Sequence, residues 1–279
     1  MLQISNINFS YGKGVNVLEN FSLDISESGV YGLLGKNGPG KSTLLYLLMG
    51  LLRPQAGGIT FNGTDTRLRR PEVLQDMFIV PEEYDLPAIK LSKYVSSLKP
   101  FYPNFSEDLL KECLEAFDMP YDVNLGSLSM GQKKKVYMCV ALTTNTRLLL
   151  MDEPTNGLDI PSKSHFRKVV SMGMGEDRVV IISTHQVRDV EHLLDHVCVI
   201  DNRCTLLNAS MRKVEENLCF LNVERSGIPD NAIYTEPSLG GFNVVAPAAD
   251  GCETPVNLEM LFNALISKGD EIRAAIENK

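Results

Sequence analysis

Apolar and polar residues alternate from Leu2 to Phe9 and again from Val15 to Ile25, the period of a strand with one buried face. Tyr11-Gly12-Lys13-Gly14 lies between them as a turn, so the chain opens with an antiparallel pair. A short apolar strand, Val30 to Leu34, then runs into a glycine-rich loop and a helix beginning near Lys41. Further apolar runs at Met77 to Val80, Leu148 to Met151, Val179 to Ser183 and Val197 to Ile200 are separated by helical stretches. Strands without alternation are buried on both faces, which predicts a parallel sheet with crossover helices. Between about Pro87 and Lys135 that rhythm stops, and Leu109, Leu110, Cys113, Leu114 and Phe117 follow the helical period, marking a helical insertion. After Asp201, Gly, Pro and Asn punctuate short strand-like runs, Phe220 to Val223 and Phe242 to Ala246, before an amphipathic helix over Val256 to Ser267. The expected organisation is a main α/β domain over 1–204 and a small α+β appendage over 205–279.

Composition narrows the function classes. Apolar residues at 44% and charged residues at 22% are the balance of an ordinary globular protein. No uninterrupted apolar run approaches the roughly 18 residues needed to cross a bilayer, so a membrane role has to come through a partner. The N-terminus lacks the basic-then-apolar layout of a signal peptide. A net charge of −8 argues against nucleic acid as a partner, because that affinity rests on clustered Lys and Arg. Cys113, Cys139, Cys198, Cys204, Cys219 and Cys252 show no CxxC pairing and read as reduced thiols of a cytoplasmic protein.

The chemistry begins in the loop Gly35-Lys36-Asn37-Gly38-Pro39-Gly40-Lys41-Ser42, which matches GxxxxGK[ST] and lies after a strand and before the helical run Thr43 to Met49. Glycines let the backbone wrap a phosphate chain, and N–H groups at the helix start supply positive potential. Lys41 is placed for the β and γ phosphates, and Ser42 offers an oxygen to Mg²⁺. Pro39 has no N–H, so the loop gives up one phosphate donor in exchange for a stiffer backbone. Farther along, Leu148 to Met151 ends in Asp152-Glu153, a strand delivering two carboxylates to a sheet edge. Beside the phosphate loop, Asp152 would hold Mg²⁺ and Glu153 would polarise an attacking water. Loop and acidic strand together indicate a nucleotide hydrolase with a P-loop core.

Three more motifs narrow the class: Leu128-Ser129-Met130-Gly131-Gln132, Asn156-Gly157-Leu158-Asp159, and Ser183-Thr184-His185 at the end of a later strand. In this order the set resembles the nucleotide-binding subunits of ABC transporters, over residues 1 to about 205. The resemblance implies ATP as substrate and Mg²⁺ as cofactor. It implies that Tyr11 stacks on adenine, that Thr43 joins Gly35 to Ser42 around the nucleotide, that Ser129, Gly131 and Gln132 meet the γ-phosphate bound by a second protomer, and that His185 holds that phosphate. It further implies a homodimer or heterodimer docked on a separate membrane permease, exporter-like, at the cytoplasmic face of the membrane; a soluble, non-transport ABC ATPase is the alternative. Independently, Ser129 before a helical run provides a hydroxyl and free N–H groups at a helix N-terminus, an anion site.

This chain departs from the family pattern at two points. Met130 stands where the family has glycine, and Glu82 in Pro81-Glu82-Glu83-Tyr84 stands where it has glutamine. Glu82 then becomes a candidate Mg²⁺ ligand together with Ser42 and Asp152. Lys133-Lys134-Lys135 reads as a solvated helix face and Arg67 to Arg70 as a solvated loop. The segment from 205 onward holds no residue of the expected site and is expected to be dispensable for nucleotide binding.

Overall fold

The computed structural model describes every residue except Lys13, Val15, Asn37, Pro39, Asn202, 249–253 and 278–279. The elements run β1 (Leu2–Ser10), β2 (Asn16–Ile25), β3 (Gly29–Gly35), α1 (Gly40–Leu48), β4 (Ala56–Phe61), β5 (Thr64–Asp65), α2 (Pro71–Leu74), β6 (Met77–Val80), α3 (Leu91–Leu98), α4 (Glu107–Ala116) and α5 (Met130–Thr143). They continue with β7 (Leu148–Asp152), α6 (Ile160–Met172), β8 (Val179–Thr184), β9 (His196–Asp201), β10 (Cys204–Ser210), α7 (Met211–Asn217), β11 (Leu218–Val223), β12 (Tyr234–Ser238), β13 (Gly241–Pro247) and α8 (Leu258–Glu277).

The central sheet has the order β10-β9-β3-β8-β7-β6, parallel except for the edge strand β10, which runs antiparallel to β9. Its strands are buried on both faces, as their unbroken apolar runs require. Alternate residues divide between two cores. Tyr31 and Leu33 face α1 and the sheet β2-β1-β4-β5, whereas Val30 and Leu34 face the side covered by α5, α6 and α8. The P-loop α/β class expected from the motifs is therefore the observed one. Strand β4 went unread in the sequence because Ala56-Gly57-Gly58 hides its alternation; a Cβ on Gly57 would lie 2.3 Å from the Ser5 carbonyl oxygen of the paired β1.

The helical insertion comprises α3 and α4, but the expected limit at Lys135 falls inside α5, which continues to Thr143. A second boundary also differs. Residues 204–210 form β10 and complete the main sheet, so a division at 204/205 would strip a strand from it. Beyond it, β11-β13-β12 form a small antiparallel sheet. The closing helix breaks at Lys268, where the backbone is non-helical, so its first segment ends at Ser267 as expected, and a second helical segment runs on to Glu277. Its Leu258, Leu261, Ala264, Leu265 and Ile272 belong to the same apolar cluster as Val180, Ile182 and Val199 of the main sheet. The C-terminal segment thus shares an apolar core with the main sheet. Cysteine usage differs as well: Cys113, Cys139 and Cys198 are free, but Cys219 is disulfide-bonded, and Cys252 lies outside the described residues. Spacing along the chain says nothing about cysteines that folding brings together.

Leu261 is fully buried in that shared core. Leu261→Ala is expected to destabilise the whole chain by about 2–5 kcal/mol. Urea unfolding monitored at a main-domain probe should register this as a single shifted transition; an unshifted transition there would show the closing helix to be energetically separate.

Candidate functional site

The site stands on three neighbouring strands. Parallel pairing sets Leu34 of β3 against Thr184 of β8, and Asp152 of β7 against Ser183 of β8. The loop after β3, the carboxylates at the end of β7 and the histidine after β8 therefore emerge at one sheet edge, next to the N-terminus of α1. A cavity of about 320 Å³ opens there, lined by Gly38, Lys41, Ser42, Glu82, Glu153, Asn156 and His185.

Gly35 ends β3, where a side chain has no room: a Cβ would lie 2.8 Å from the Ile200 carbonyl oxygen. The loop curls over Lys41, whose ammonium donates to the carbonyls of Gly35 at 2.8 Å and Lys36 at 3.2 Å. Lys41 is only 6% exposed, and its Nζ lies 4.0 Å from Glu153 Oε1. Burial pulls the Lys41 pKa below its ordinary value, and the carboxylates of Glu153, Asp152 and Glu82 act against that pull. The Lys36 ammonium approaches Asp201 at 4.0 Å. Gly40 begins α1. Asn37 and Pro39, also expected in this loop, lie outside the described residues.

Glu153 is the most constrained member. Its φ of +45° is left-handed, a conformation costing a non-glycine residue about 1–3 kcal/mol. Its N–H donates to the Ser183 carbonyl at 3.1 Å and meets the Ser183 hydroxyl at 3.2 Å. The same hydroxyl donates to Asp152 Oδ1. The carboxylate is turned toward His185, with Nδ1 2.9 Å from Oε1 and the His185 N–H 3.4 Å from Oε2. A buried carboxylate against an imidazole, beside a buried ammonium, can hold and pass a proton at Oε1.

Of the expected ligands, Ser42 and Glu82 line the cavity, whereas Asp152 is not among its lining residues and its carboxylate accepts from the Ser183 hydroxyl. Hydroxyl and carboxylate oxygens suit a hard cation, and Mg²⁺ takes one or two protein carboxylates together with substrate phosphates rather than a full protein cage. Glu82 Oε1 accepts from the Asn156 side chain at 3.0 Å. Tyr11 is exposed, stands edge-on to Phe9 with ring centroids 5.0 Å apart, and shares a 3.1 Å hydrogen bond with Thr43 of α1.

Ser129, Gly131 and Gln132 do not line the Lys41 cavity. Ser129 caps α5, its hydroxyl accepting from the Gln132 N–H at 3.3 Å while the Gln132 side chain accepts from the Ser129 N–H at 3.0 Å. Sequence reasoning missed Lys134 altogether. Far from facing solvent, it is 8% exposed and donates to the carbonyls of Glu153 at 2.8 Å and Asn156 at 2.9 Å. Its spacing from Met138, Ala141 and Leu142, four, seven and eight residues on, is the available signal, since those residues form a buried helical stripe. Asn156 and Ser183 were read as parts of motifs and not as site residues.

The model of the ABC transporter family matches residues 18–156. The chain is 32% identical over 206 residues to the lantibiotic transport ATP-binding protein SrtF of Streptococcus pyogenes, covering 71% of this chain and 85% of that protein. The chain belongs to the ABC transporter family. Among the ABC relatives, the Nod factor export ATP-binding protein I of Cupriavidus metallidurans is 28% identical over 207 residues, covering 72% of this chain and 68% of the relative. The solved structure of cbiO1 from Clostridium perfringens, part of the ABC transporter complex cbiONQ, superposes with a TM-score of 0.61 at 27% identity, over 75% of this chain and 88% of that one. ABC subunits of this kind bind ATP and hydrolyse it to power transport, and the chain is accordingly an ATPase.

Lys41→Ala should abolish ATP binding, because the phosphates lose the ammonium that this loop holds over the cavity. Titration with a fluorescent ATP analogue checks it, and unchanged affinity would show that the loop is not the nucleotide site.

Proposed function

We propose that this ABC subunit hydrolyses Mg²⁺-ATP between two protomers and drives export through a separate membrane permease. The observation that carries the reading is the separation of two anion-binding features. Lys41, Glu153 and His185 surround one cavity, while Ser129 and Gly131 stand at the start of α5 outside it. A helix N-terminus with a capped serine attracts an anion, and the phosphate suited to it is then one held by a second chain. The start of α5 abuts the turn at Gly157, since a Cβ on Gly131 would lie 3.9 Å from the Gly157 carbonyl oxygen. From these two segments Met130 and Ile160 stand exposed, apolar surface that a second protomer would cover.

Bound Mg²⁺ would neutralise charge on the β and γ phosphates, with Ser42, Asp152 and Glu82 as its protein ligands. Lys41 and the loop N–H groups orient the phosphates. Glu153 Oε1 would take a proton from the attacking water, and His185 Nδ1, 2.9 Å away, steadies that carboxylate; by the family resemblance its ring would hold the γ-phosphate. Tyr11, exposed beside α1, offers its ring to adenine. The export direction is supported by the names of the lantibiotic and Nod factor relatives. No helix of the described residues is long and apolar enough to cross a membrane, so attachment to the inner membrane face would come from the permease.

Glu153→Gln should slow hydrolysis at least about 100-fold while ATP binding persists, so the variant is expected to elute as a dimer with ATP and Mg²⁺. A monomeric profile would count against the two-protomer site. Glu82→Gln should raise the Mg²⁺ concentration needed for half-maximal ATPase activity, because a carboxylate holds a hard divalent cation more strongly than an amide does. Glu83→Gln serves as the control, and a titration in which all three proteins coincide removes Glu82 from the ligand set.

A further inference from the structure

The buried Lys134 ammonium has no part in the reaction as written above, yet it bonds to the backbone of the residue that carries it. Two of its three donors are committed, one to the Glu153 carbonyl and one to the Asn156 carbonyl, at 2.8 and 2.9 Å. These carbonyls belong to the turn that leaves β7, and Lys134 reaches them from the second turn of α5. The Glu153 peptide is thus gripped on both sides: its N–H by Ser183, its carbonyl by Lys134. Left-handed φ at a glutamate persists only when the surroundings over-determine it. The second bond acts further out. Asn156, held through its carbonyl, donates to Glu82 and accepts from Gln186, which in turn lies 3.4 Å from the His185 ring. One cation therefore sets the backbone beneath the catalytic carboxylate and the side chain that links Glu82 to the histidine.

A cation buried to this degree is costly without opposite charge nearby, and here the carboxylates of Glu82, Glu153 and Asp152 supply it. A lysine suits the place because its compact ammonium sends two donors in different directions from a long stem. Ser129 and Gly131, at the start of the same helix, lie five and three residues before Lys134, so its bond to the Glu153 carbonyl ties that end of α5 to the turn after β7.

We infer that Lys134 is a positioning residue for hydrolysis, holding Glu153 in its reactive conformation and tying it to the helix whose N-terminus serves the nucleotide of the second protomer. The inference rests on the ATPase site proposed above and adds a residue to it. The test is steady-state ATPase kinetics on the full chain with Lys134→Met, which keeps the stem and removes the donors. Turnover should fall about 10- to 100-fold, the scale of a misplaced catalytic group, while KM for ATP changes less than about 3-fold. In a Glu153→Gln background the same substitution should change single-turnover rates less than about 3-fold, because residues acting as a unit are not additive. Lys133→Met, one position away, should match wild type. If Lys134→Met fails to fold, Lys134→Gln, which retains an amide donor, carries the same comparison and should fall between wild type and Glu153→Gln. Wild-type turnover in either variant, or a loss that multiplies with that of Glu153→Gln, overturns the positioning role. A wild-type chain without Glu153-dependent turnover overturns instead the hydrolase site beneath it.

Discussion

Parallel pairing of β3, β8 and β7 is the constraint on which the site depends. With Leu34 beside Thr184 and Asp152 beside Ser183, β3 and two strands more than a hundred residues further along the chain end at the same height and turn toward the same cavity. A slip of one residue in either pairing would send the side chains before the turns to the opposite face and move the carboxylates away from the loop. The burial of these strands on both faces is what specifies the register, because a slip would also exchange the residues packed in the two cores.

Within that frame the electrostatics are arranged around Glu153. Lys41 and Lys134, both buried, approach it from different elements, the first toward the carboxylate and the second at the carbonyl. Each ammonium places two of its three donors on backbone carbonyls, which puts positive charge in the interior without leaving it unbonded. Burial lowers the pKa of each lysine below its ordinary value, and the neighbouring carboxylates oppose the shift, so cations and anions stabilise one another. The result is a site whose turn after β7 is bonded from β8 and α5 at once, while Ser129 and Gly131 at the start of α5 stand outside the cavity.

The C-terminal segment belongs to the same physical unit. β10 extends the main sheet, α8 packs its apolar face into the core beneath it, and Arg188 and Glu259 join the two across 2.6 Å. An exposed ion pair of this kind contributes little by itself. The shared apolar core is what ties the segment to the main sheet, the same sheet that carries Asp152, Glu153 and His185 at its edge.

The sequence by itself determined the class of fold, the phosphate loop, the acidic strand and the histidine, because each rests on a local pattern: unbroken apolar runs for buried strands, fixed glycine spacing for a phosphate turn, carboxylates at a strand end. It also placed most strands of the main sheet within a residue or two. The tertiary structure alone decided the fate of Lys134, which three consecutive lysines disguise as a solvated face and which only the packing of α5 against the β7 turn draws inside. The same holds for the strain at Glu153, the membership of β10 in the main sheet and the disulfide at Cys219. These are long-range facts. They depend on which distant backbone groups meet: helical spacing puts Lys134 on the buried stripe of α5, but no periodicity says which carbonyls its ammonium reaches.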